Sequence, residues 1–412
     1  MDARSCRDYD ALLELIQRRP DLQVNYRVDL GDTQLWGDAT DCIVSNENVH
    51  LLLANLPYLT NLQHVDALSC TDYETLMRIR AARPELDLSY CVVIGQIPQA
   101  ADATVLSLDI QHAPDAMELL QYFPNLTEVT FEGLADDLEL MYRMKERYPN
   151  VVICWDFEVC GVETSSTATE LILNNIPMES TQTVEDALKY FYNLQRVEMC
   201  QCGISGEDMD ALWKRHPETR FVWSIRMGSG YVRTDEKAFI PFKYGYNIDH
   251  PFYDTQVKEL KYLVDLECLD LGHMRMTDIS FLQYMPKLRF LILADVVCSD
   301  FTVLANLTNL EYLELFHSRF DDVQLLMNLK KLQDLNIGWV QLKNPELLKE
   351  LTWLKRLWTN VNGMTRMELV ELRDSMPDTY VYIDSKHPTE GGWRQSPLYY
   401  EMRDMLGMFY MQ

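Results

Sequence analysis

The chain is poor in basic residues relative to acidic ones. Its 412 residues include 37 lysines and arginines against 63 aspartates and glutamates, which gives a formal net charge of −26. Nucleic-acid binding needs a basic surface that neutralises phosphates, so this balance argues against a nucleic-acid partner. It argues equally against recognition of anionic lipid headgroups. A charge of this size also helps to keep a long, hydrophobic chain soluble.

Long apolar runs, targeting signals and paired cysteines are also missing. No run reaches the roughly 18 apolar residues of a membrane span, so we expect no membrane insertion by this segment. The start, MDARSCRDYD, lacks the basic and apolar regions of a signal peptide. The ten cysteines include no CxxC pair, and the closest two, Cys200 and Cys202, lack zinc-ligand spacing. We therefore expect buried free thiols and no metal.

Sequence signatures of catalysis are absent as well. The chain has no GxSxG, HExxH, P-loop or GxGxxG motif. Ser205, followed by Glu207 and Asp208, fits the start of a helix better than a nucleophile, because a serine hydroxyl caps helices and acidic residues suit their first turn. We predict that the protein is not an enzyme and uses no cofactor.

The C-terminal half does contain a regular repeat. Five leucines stand 22 residues apart in the pattern LxxLxL: Leu269, Leu291, Leu313, Leu335 and Leu357. Each is followed by a variable turn and a second apolar run. This period and pattern are typical of leucine-rich repeats. One repeat cannot bury its own leucines, whereas stacked repeats can.

The N-terminal half repeats at a longer period. The same point in four copies is marked by a proline, 64, 65 and 68 residues apart, at Pro20, Pro84, Pro149 and Pro217. Each copy holds three strand-like runs, for example around Leu106, Val129 and Val152. Runs such as YETLMRIRAARP have helical spacing and end at the proline, where a helix must stop. Each copy is therefore predicted to hold three leucine-rich-like turns.

These repeats predict an α/β fold. We expect one leucine-rich repeat solenoid, a horseshoe of about sixteen strands, with a parallel sheet on its concave face and helices or turns on its convex face. Four parts are predicted: an irregular block of modules (1–227), a connecting segment (228–262), the regular repeats (263–384) and a C-terminal cap (385–412). Because Met1 aligns with Val65 in mid-strand and no polar cap precedes it, we expect the chain to begin inside a longer protein.

The last residues, GGWRQSPLYYEMRDMLGMFYMQ, are unusually apolar. If they form a helix, one stripe contains Tyr399, Met402, Met405, Leu406 and Phe409. The apolar part is too short, and too interrupted by charge, to span a bilayer. We interpret this segment as a lid on the open end of the solenoid, with Trp393 packed alongside. A binding motif is the alternative.

The repeat register assigns variable side chains to the concave face. Adjacent rungs lie about 4.8 Å apart, so aromatic residues in neighbouring repeats should cluster there. Such a cluster within an acidic rim is typical of a binding surface. The candidate ligand-binding residues are Phe290, Tyr312, Glu314, Phe316, Asp334, Trp339 and Trp358. The alternative is that a flanking loop or the tail covers these rings.

A ladder of His273, Asp295 and His317 also lies on this face. The two histidines are two rungs apart, about 10 Å at the backbone, which is too far for both to reach one metal ion. We therefore predict no metal site.

The 22-residue block resembles internalin-type bacterial leucine-rich repeats, through Asp278-Ile279, Asp300-Phe301 and Asp322-Val323. Nearly the whole chain resembles a group of large leucine-rich repeat proteins from gut-dwelling Firmicutes. The similar stretches are VEMCQCGISGEDMDALWKRHPETRFVW, LDLGHMRMTDISFLQYMPKLRFLILAD, YLELF, LTWLKRLW and GGWRQSPLYYEMRDMLGMFYM. The resemblance implies a leucine-rich repeat fold, an exported or surface-exposed location and no catalytic activity.

These observations together predict a non-enzymatic interaction module that binds a protein or other surface ligand on its concave face. A structural spacer or scaffold segment of a larger bacterial surface protein is the alternative function. The expected location is extracellular or at the cell surface, as part of a longer exported chain, with the cytoplasm as the alternative.

Overall fold

The computed structural model describes residues 1–360, 363–384, 387 and 389–408. It divides into two compact units. The first comprises residues 1–168 with 186–193, and the second comprises 169–185 with 194–412. A short helix, α6 (Gln182–Ala187), lies where the chain passes between the two units.

The first unit alternates short strands with helices. Its strands are β1 (Arg27–Asp29), β2 (Gln34–Trp36), β3 (Asp41–Ile43), β4 (His64–Asp66), β5 (Asp87–Ser89), β6 (Cys91–Ile94), β7 (Ile97–Ala100), β8 (Val105–Asp109), β9 (Glu128–Leu134), β10 (Val152–Val159) and β11 (Val162–Ser165). Its α-helices are α1 (Tyr9–Arg18), α2 (Val49–Asn55), α3 (Tyr73–Ala82), α4 (Ala113–Leu119) and α5 (Leu138–Arg147). Single 3-10 turns cover 56–58, 110–112, 120–122 and 188–190.

Each long module holds three parallel strands followed by a hairpin. Strands β3, β4 and β5 pair in parallel, as do β8, β9 and β10. The predicted runs around Leu106, Val129 and Val152 are β8, β9 and the start of β10, so this prediction is confirmed. The sequence analysis missed the hairpins, in which β11 returns antiparallel to β10 and β7 to β6.

The second unit contains the regular repeats. Its strands are β12 (Glu170–Ile172), β13 (Arg196–Met199), β14 (Arg220–Met227), β15 (Gly230–Arg233), β16 (Ala238–Phe239), β17 (Cys268–Asp270), β18 (Phe290–Ile292), β19 (Tyr312–Glu314), β20 (Asp334–Asn336), β21 (Arg356–Trp358) and β22 (Tyr380–Tyr382). Its α-helices are α7 (Gly206–Arg215), α8 (Asp254–Val257), α9 (Arg366–Ser375) and α10 (Pro397–Met405). The 3-10 turns cover 241–244, 258–262, 280–284, 302–306, 323–326, 345–350 and 390–395.

Strands β16 to β22 form one seven-stranded parallel sheet. The five periodic leucines pair with one another across β17 to β21, and each is fully buried. The turns on the other side of this core are 3-10 helices rather than α-helices, since a 22-residue repeat leaves little chain for the return. A parallel sheet with helices and turns on one side is a leucine-rich repeat fold, and the predicted fold class is confirmed.

The ten-residue helices mark the longer modules. Helices α1, α3, α5 and α7 each end two positions before the proline of their copy. Each begins after a side-chain cap, and Ser205 fills this role for α7 by accepting a hydrogen bond from the Asp208 amide at 3.1 Å. Capping by Ser205 was predicted and is confirmed. Helix α9, capped by Thr365 and followed by Pro377, is a further copy that the sequence analysis overlooked.

All ten cysteines are free, as expected, and six of them are buried. Within the described residues, no helix combines the length and the apolar character needed to cross a membrane. The predicted division at 227, 262 and 384 stays a prediction.

Candidate functional site

Five of the seven candidate residues lie beneath other parts of the chain. Glu314 and Asp334 are each only 2% exposed, and the rings of Phe290, Tyr312 and Trp358 are fully buried. Phe316 is half-buried, and Trp339 is 44% exposed. The open aromatic surface is therefore corrected to the alternative that the sequence also allowed, coverage by the tail. Of the seven residues, Phe316 and Trp339 keep the most exposed surface, and Glu314 contributes to the lining of a cleft.

The C-terminal segment covers these rows. The indole of Trp393 is fully buried between Tyr312, at a ring-centroid distance of 4.8 Å, and Trp358, at 5.1 Å. Met402 and Leu406 of the same segment are also buried and join the cluster around Cys268 and Phe290. As a result, all three residues of β18, β19 and β20 are buried, whereas the central residue alone is buried in β3.

Polar contacts fix this segment in place. The Trp393 indole N–H donates to Glu314 Oε2 at 2.7 Å, and the Trp358 indole N–H donates to the Glu390 carbonyl at 2.8 Å. Arg356 binds the Asp334 carboxylate at 3.0 Å and donates to the Gly392 carbonyl at 2.6 Å. Both carboxylates that the sequence assigned to ligand binding thus hold, directly or through Arg356, the protein's own C-terminal segment.

The segment also differs from the predicted lid in its position. The helix and its buried stripe of Met402 and Leu406 were predicted, but they pack across the face of β17 to β19 instead of covering the last rung. The physical reason is that the aromatic rows of this face give the segment apolar surface to bury, while at β22, the last strand of the sheet, α9 already packs. Phe409, the last member of the predicted stripe, lies outside the described residues.

Burial changes the acid–base behaviour of this face. Loss of solvent raises the pKa of Glu314, against the lowering effect of the Trp393 hydrogen bond. Burial likewise raises the pKa of Asp334 and of Asp270, the residue of the same face in β17. The C-terminal segment therefore sits on carboxylates whose charged form is disfavoured.

A cleft remains beside the segment. Its volume is about 860 Å³, and its floor is formed by side chains that follow or end β17, β18 and β19. Gly272 and Ala294 leave room there, while Ile240 to Asp249 form one wall and Tyr399 to Met408 form the other. The sequence analysis missed this cleft, because its walls come from two segments without repeat spacing. The small residues in the row Gly272, Ala294, Phe316, Gly338 were the available signal.

The ladder of histidines lies along this cleft. His273 and His317 each place Nδ1 3.1 Å from the Asp295 carboxylate. Burial acts to raise the pKa of Asp295, but these hydrogen bonds outweigh it and the net pKa is lowered. All three residues have left-handed backbone, with φ between 53 and 65°. Among the described residues no group of three or more metal-ligating side chains is suitably placed to hold a metal ion.

A second face is uncovered. The outward positions of β3 to β5 and β8 to β10 include no lysine or arginine, and they carry Asp41, Asp66, Asp87, Asp109, Glu128, Glu132, Asp156 and Glu158. Asp109 lies directly across from Glu132 in the parallel pair. The exposed apolar side chains of Ile43, Val105 and Val152 lie among these carboxylates. We call these outward positions the acidic face.

Comparisons with known proteins add weak likenesses of the repeat type. No protein-family model matches the chain, and no curated protein sequence matches it. Internalin C2 of Listeria monocytogenes is 17% identical, with 54% of this chain and 76% of that chain covered and a TM-score of 0.28. Internalin F of the same organism is 14% identical, with 86% and 90% covered and a TM-score of 0.31. A leucine-rich repeat protein of Leptospira interrogans is 14% identical, with 90% and 98% covered and a TM-score of 0.31. These sequence identities and TM-scores are too low to support any statement about function.

Proposed function

We propose that the protein is a non-enzymatic interaction module that binds a protein partner on the acidic face. The observation that carries this proposal is the composition of that face: eight carboxylates and no lysine or arginine at the outward positions of six strands. Like charges on neighbouring strands destabilise a sheet, as for Asp109 beside Glu132. A positively charged partner relieves this repulsion.

The partner that fits this face is a basic segment of a protein with some apolar side chains. Long-range attraction to a negative surface raises the association rate, and contacts with Ile43, Val105 and Val152 add apolar burial. The strands hold these side chains on a fixed backbone, so little conformational entropy is lost on binding.

Charge-neutralised variants test this proposal. The test variant combines Asp66→Asn, Asp109→Asn and Glu132→Gln, which keep hydrogen-bond acceptors but remove three charges. A matched control combines Glu74→Gln, Asp115→Asn and Glu146→Gln, three exposed carboxylates on α3, α4 and α5.

Partner proteins are captured on the intact chain from host and bacterial surface fractions. The affinity of each captured protein for the intact chain and for both variants is then measured. We expect at least a tenfold loss of affinity for the test variant and almost none for the control, with weaker binding at higher salt. Equal affinity for both variants, or no captured protein, would contradict the proposal.

A structural spacer or scaffold segment is the second candidate function. It is favoured by the C-terminal segment, which occupies the aromatic rows that an interaction site in the regular repeats would need. Under this proposal the regular repeats supply rigidity within a larger bacterial surface protein, at an extracellular or cell-surface location. A gut Firmicutes origin belongs to the same proposal.

A further inference from the structure

We propose that the cleft of the second unit binds a small primary amine that carries an apolar body. This site is separate from the acidic face and does not depend on the proposed partner. Its volume of about 860 Å³ lies within the range of about 300 to 1,000 Å³ that small-molecule pockets occupy.

The apolar part of the cleft suits a hydrocarbon or aromatic group. Ile292, Ala294 and Phe316 line the cleft from the sheet, and Tyr399 and Met402 line it from the C-terminal segment. Ile292 and Ala294 are mostly buried by the protein itself, while Phe316 and Tyr399 keep part of their surface exposed. A ligand that covers this surface gains apolar burial without displacing any element of the fold.

Two carboxylates stand on either side of Ile292 along the sheet. Asp270 and Glu314 occupy the same row of β17 and β19, with Ile292 of β18 between them. Neither carboxylate forms an ion pair with a lysine or arginine of the described residues. Within the described part of the chain, Glu314 accepts hydrogen bonds from two neutral groups, the Trp393 indole at 2.7 Å and the Tyr312 hydroxyl at 3.1 Å.

A carboxylate that is shielded from water and has no directly bound counter-charge is unfavourable, because the protein interior solvates it less well than water does. The charge of Arg394 acts to lower the pKa of both carboxylates, and that of Arg403 acts on Asp270, but neither arginine forms an ion pair with them. The Asp270 carboxylate accepts a hydrogen bond from the Gly272 amide at 2.9 Å through Oδ1. An ammonium group in the cleft beside Ile292 supplies a positive charge close to these carboxylates and donates a hydrogen bond to Asp270. Loss of solvent still leaves the pKa of both Asp270 and Glu314 raised, so the arginine charges offset it only in part.

Two arginines in the cleft wall favour a different type of ligand, an anion. Arg394 and Arg403 line the cleft and lie near the Tyr399 ring, at 5.7 and 6.0 Å from its centroid. Arg394 is exposed to solvent and Arg403 is half-exposed, so water already solvates their charge. Glu314 is the most buried of these four charged groups, and the net charge of −26 attracts cations and repels anions. Both points favour the amine.

Calorimetric titration of the full chain tests the assignment. The probes are 2-phenylethylamine, the matched acid 3-phenylpropanoate and the matched alcohol 2-phenylethanol. We expect the amine to bind at least tenfold more tightly than either analogue. Tighter binding of the acid would overturn the proposal in favour of the arginine wall, and absence of binding by all three probes would also overturn it.

Single substitutions in the chain test where the amine binds. Asp270→Asn should weaken binding of the amine at least tenfold, whereas Asp378→Asn, which changes an exposed carboxylate of the second unit that does not line the cleft, should leave it unchanged. Equal binding by both variants would overturn the proposal. Nα-acetyl-lysine amide serves as a second probe: if it binds more tightly than 2-phenylethylamine, the amine is a lysine side chain of a peptide, and if it binds more weakly, the amine is a free small molecule.

Discussion

Replacing Trp393 by alanine removes the central contact of the C-terminal segment. The indole is fully buried, packs against the rings of Tyr312 and Trp358, and donates to the buried Glu314 carboxylate. Truncation of a buried tryptophan to alanine costs about 3 to 5 kcal/mol. Because Glu314 also loses a hydrogen bond, we expect a value near the top of this range, about 5 kcal/mol.

The chain offers a matched control in Trp339, another tryptophan of the same sheet face. It is 44% exposed, so Trp339→Ala should cost less than about 1 kcal/mol. Repeat proteins can unfold in stages, which makes a single global transition a poor measure. Native-state hydrogen exchange of the α10 amides reports the opening of the segment directly, for example at Leu406, whose amide donates to the Met402 carbonyl.

The expected result is a large loss of protection in α10 for Trp393→Ala and none for Trp339→Ala. The reasoning would be refuted by equal protection in both variants, because the segment would then not depend on its buried indole. A loss that extends equally through β3 to β10 would point to general unfolding instead.

Two further predictions concern single side chains. Ser205→Ala should destabilise α7 by about 1 kcal/mol, since it removes the cap of this helix; native-state hydrogen exchange of the α7 amides measures the change, and unchanged protection would show that the cap contributes nothing. Hydrogen bonds from Arg233 lower the pKa of Glu198 to about 2, so its stabilisation is complete above about pH 5 and is lost as the pH falls towards 2. As the pH falls from about 5 towards 2, the free energy of unfolding should therefore decrease by about 3 kcal/mol less in Glu198→Gln than in the unchanged chain. An identical decrease in both would contradict the assignment.

The regular repeats were predictable because their contacts repeat with the sequence. A leucine every 22 residues fixes which residues pair, and Leu291 lies beside Leu269 and Leu313 as the spacing requires. The side-chain caps of the helices were also predictable, because each cap contacts a residue close to it in the sequence. Ser205 acts three residues away, so its role could be read from the sequence.

The hairpins after the third strands were missed although a signal was present. Cys160 and Gly161 form the two-residue turn between β10 and β11, both with positive φ, as do Gly95 and Gln96 between β6 and β7. Such turns join antiparallel strands with the required twist. The pattern that predicts such a hairpin is a run of alternating apolar and polar residues that continues after a turn containing glycine.

The site was the least predictable part. The repeat register correctly placed Tyr312, Glu314 and Trp358 on one face, but it could not show what covers them. Trp393 and Glu314 are 79 residues apart, and no period relates the C-terminal segment to the rows beneath it. Shape and charge complementarity between two such distant segments depends on the folded chain.

The central claim is that the C-terminal segment covers the aromatic rows in solution, and thiol accessibility measures this directly. Cys268 is fully buried beneath Met402, whereas Cys298 is fully buried elsewhere, outside the cluster that the segment covers. Burial raises the pKa of both thiols, to about 12 for Cys298. The intact chain and Trp393→Ala are treated with a maleimide, and the labelled peptides are identified by mass spectrometry. We predict that Cys268 and Cys298 both stay unlabelled in the intact chain and that, of these two, only Cys268 reacts in Trp393→Ala. Rapid labelling of Cys268 in the intact chain would contradict the claim.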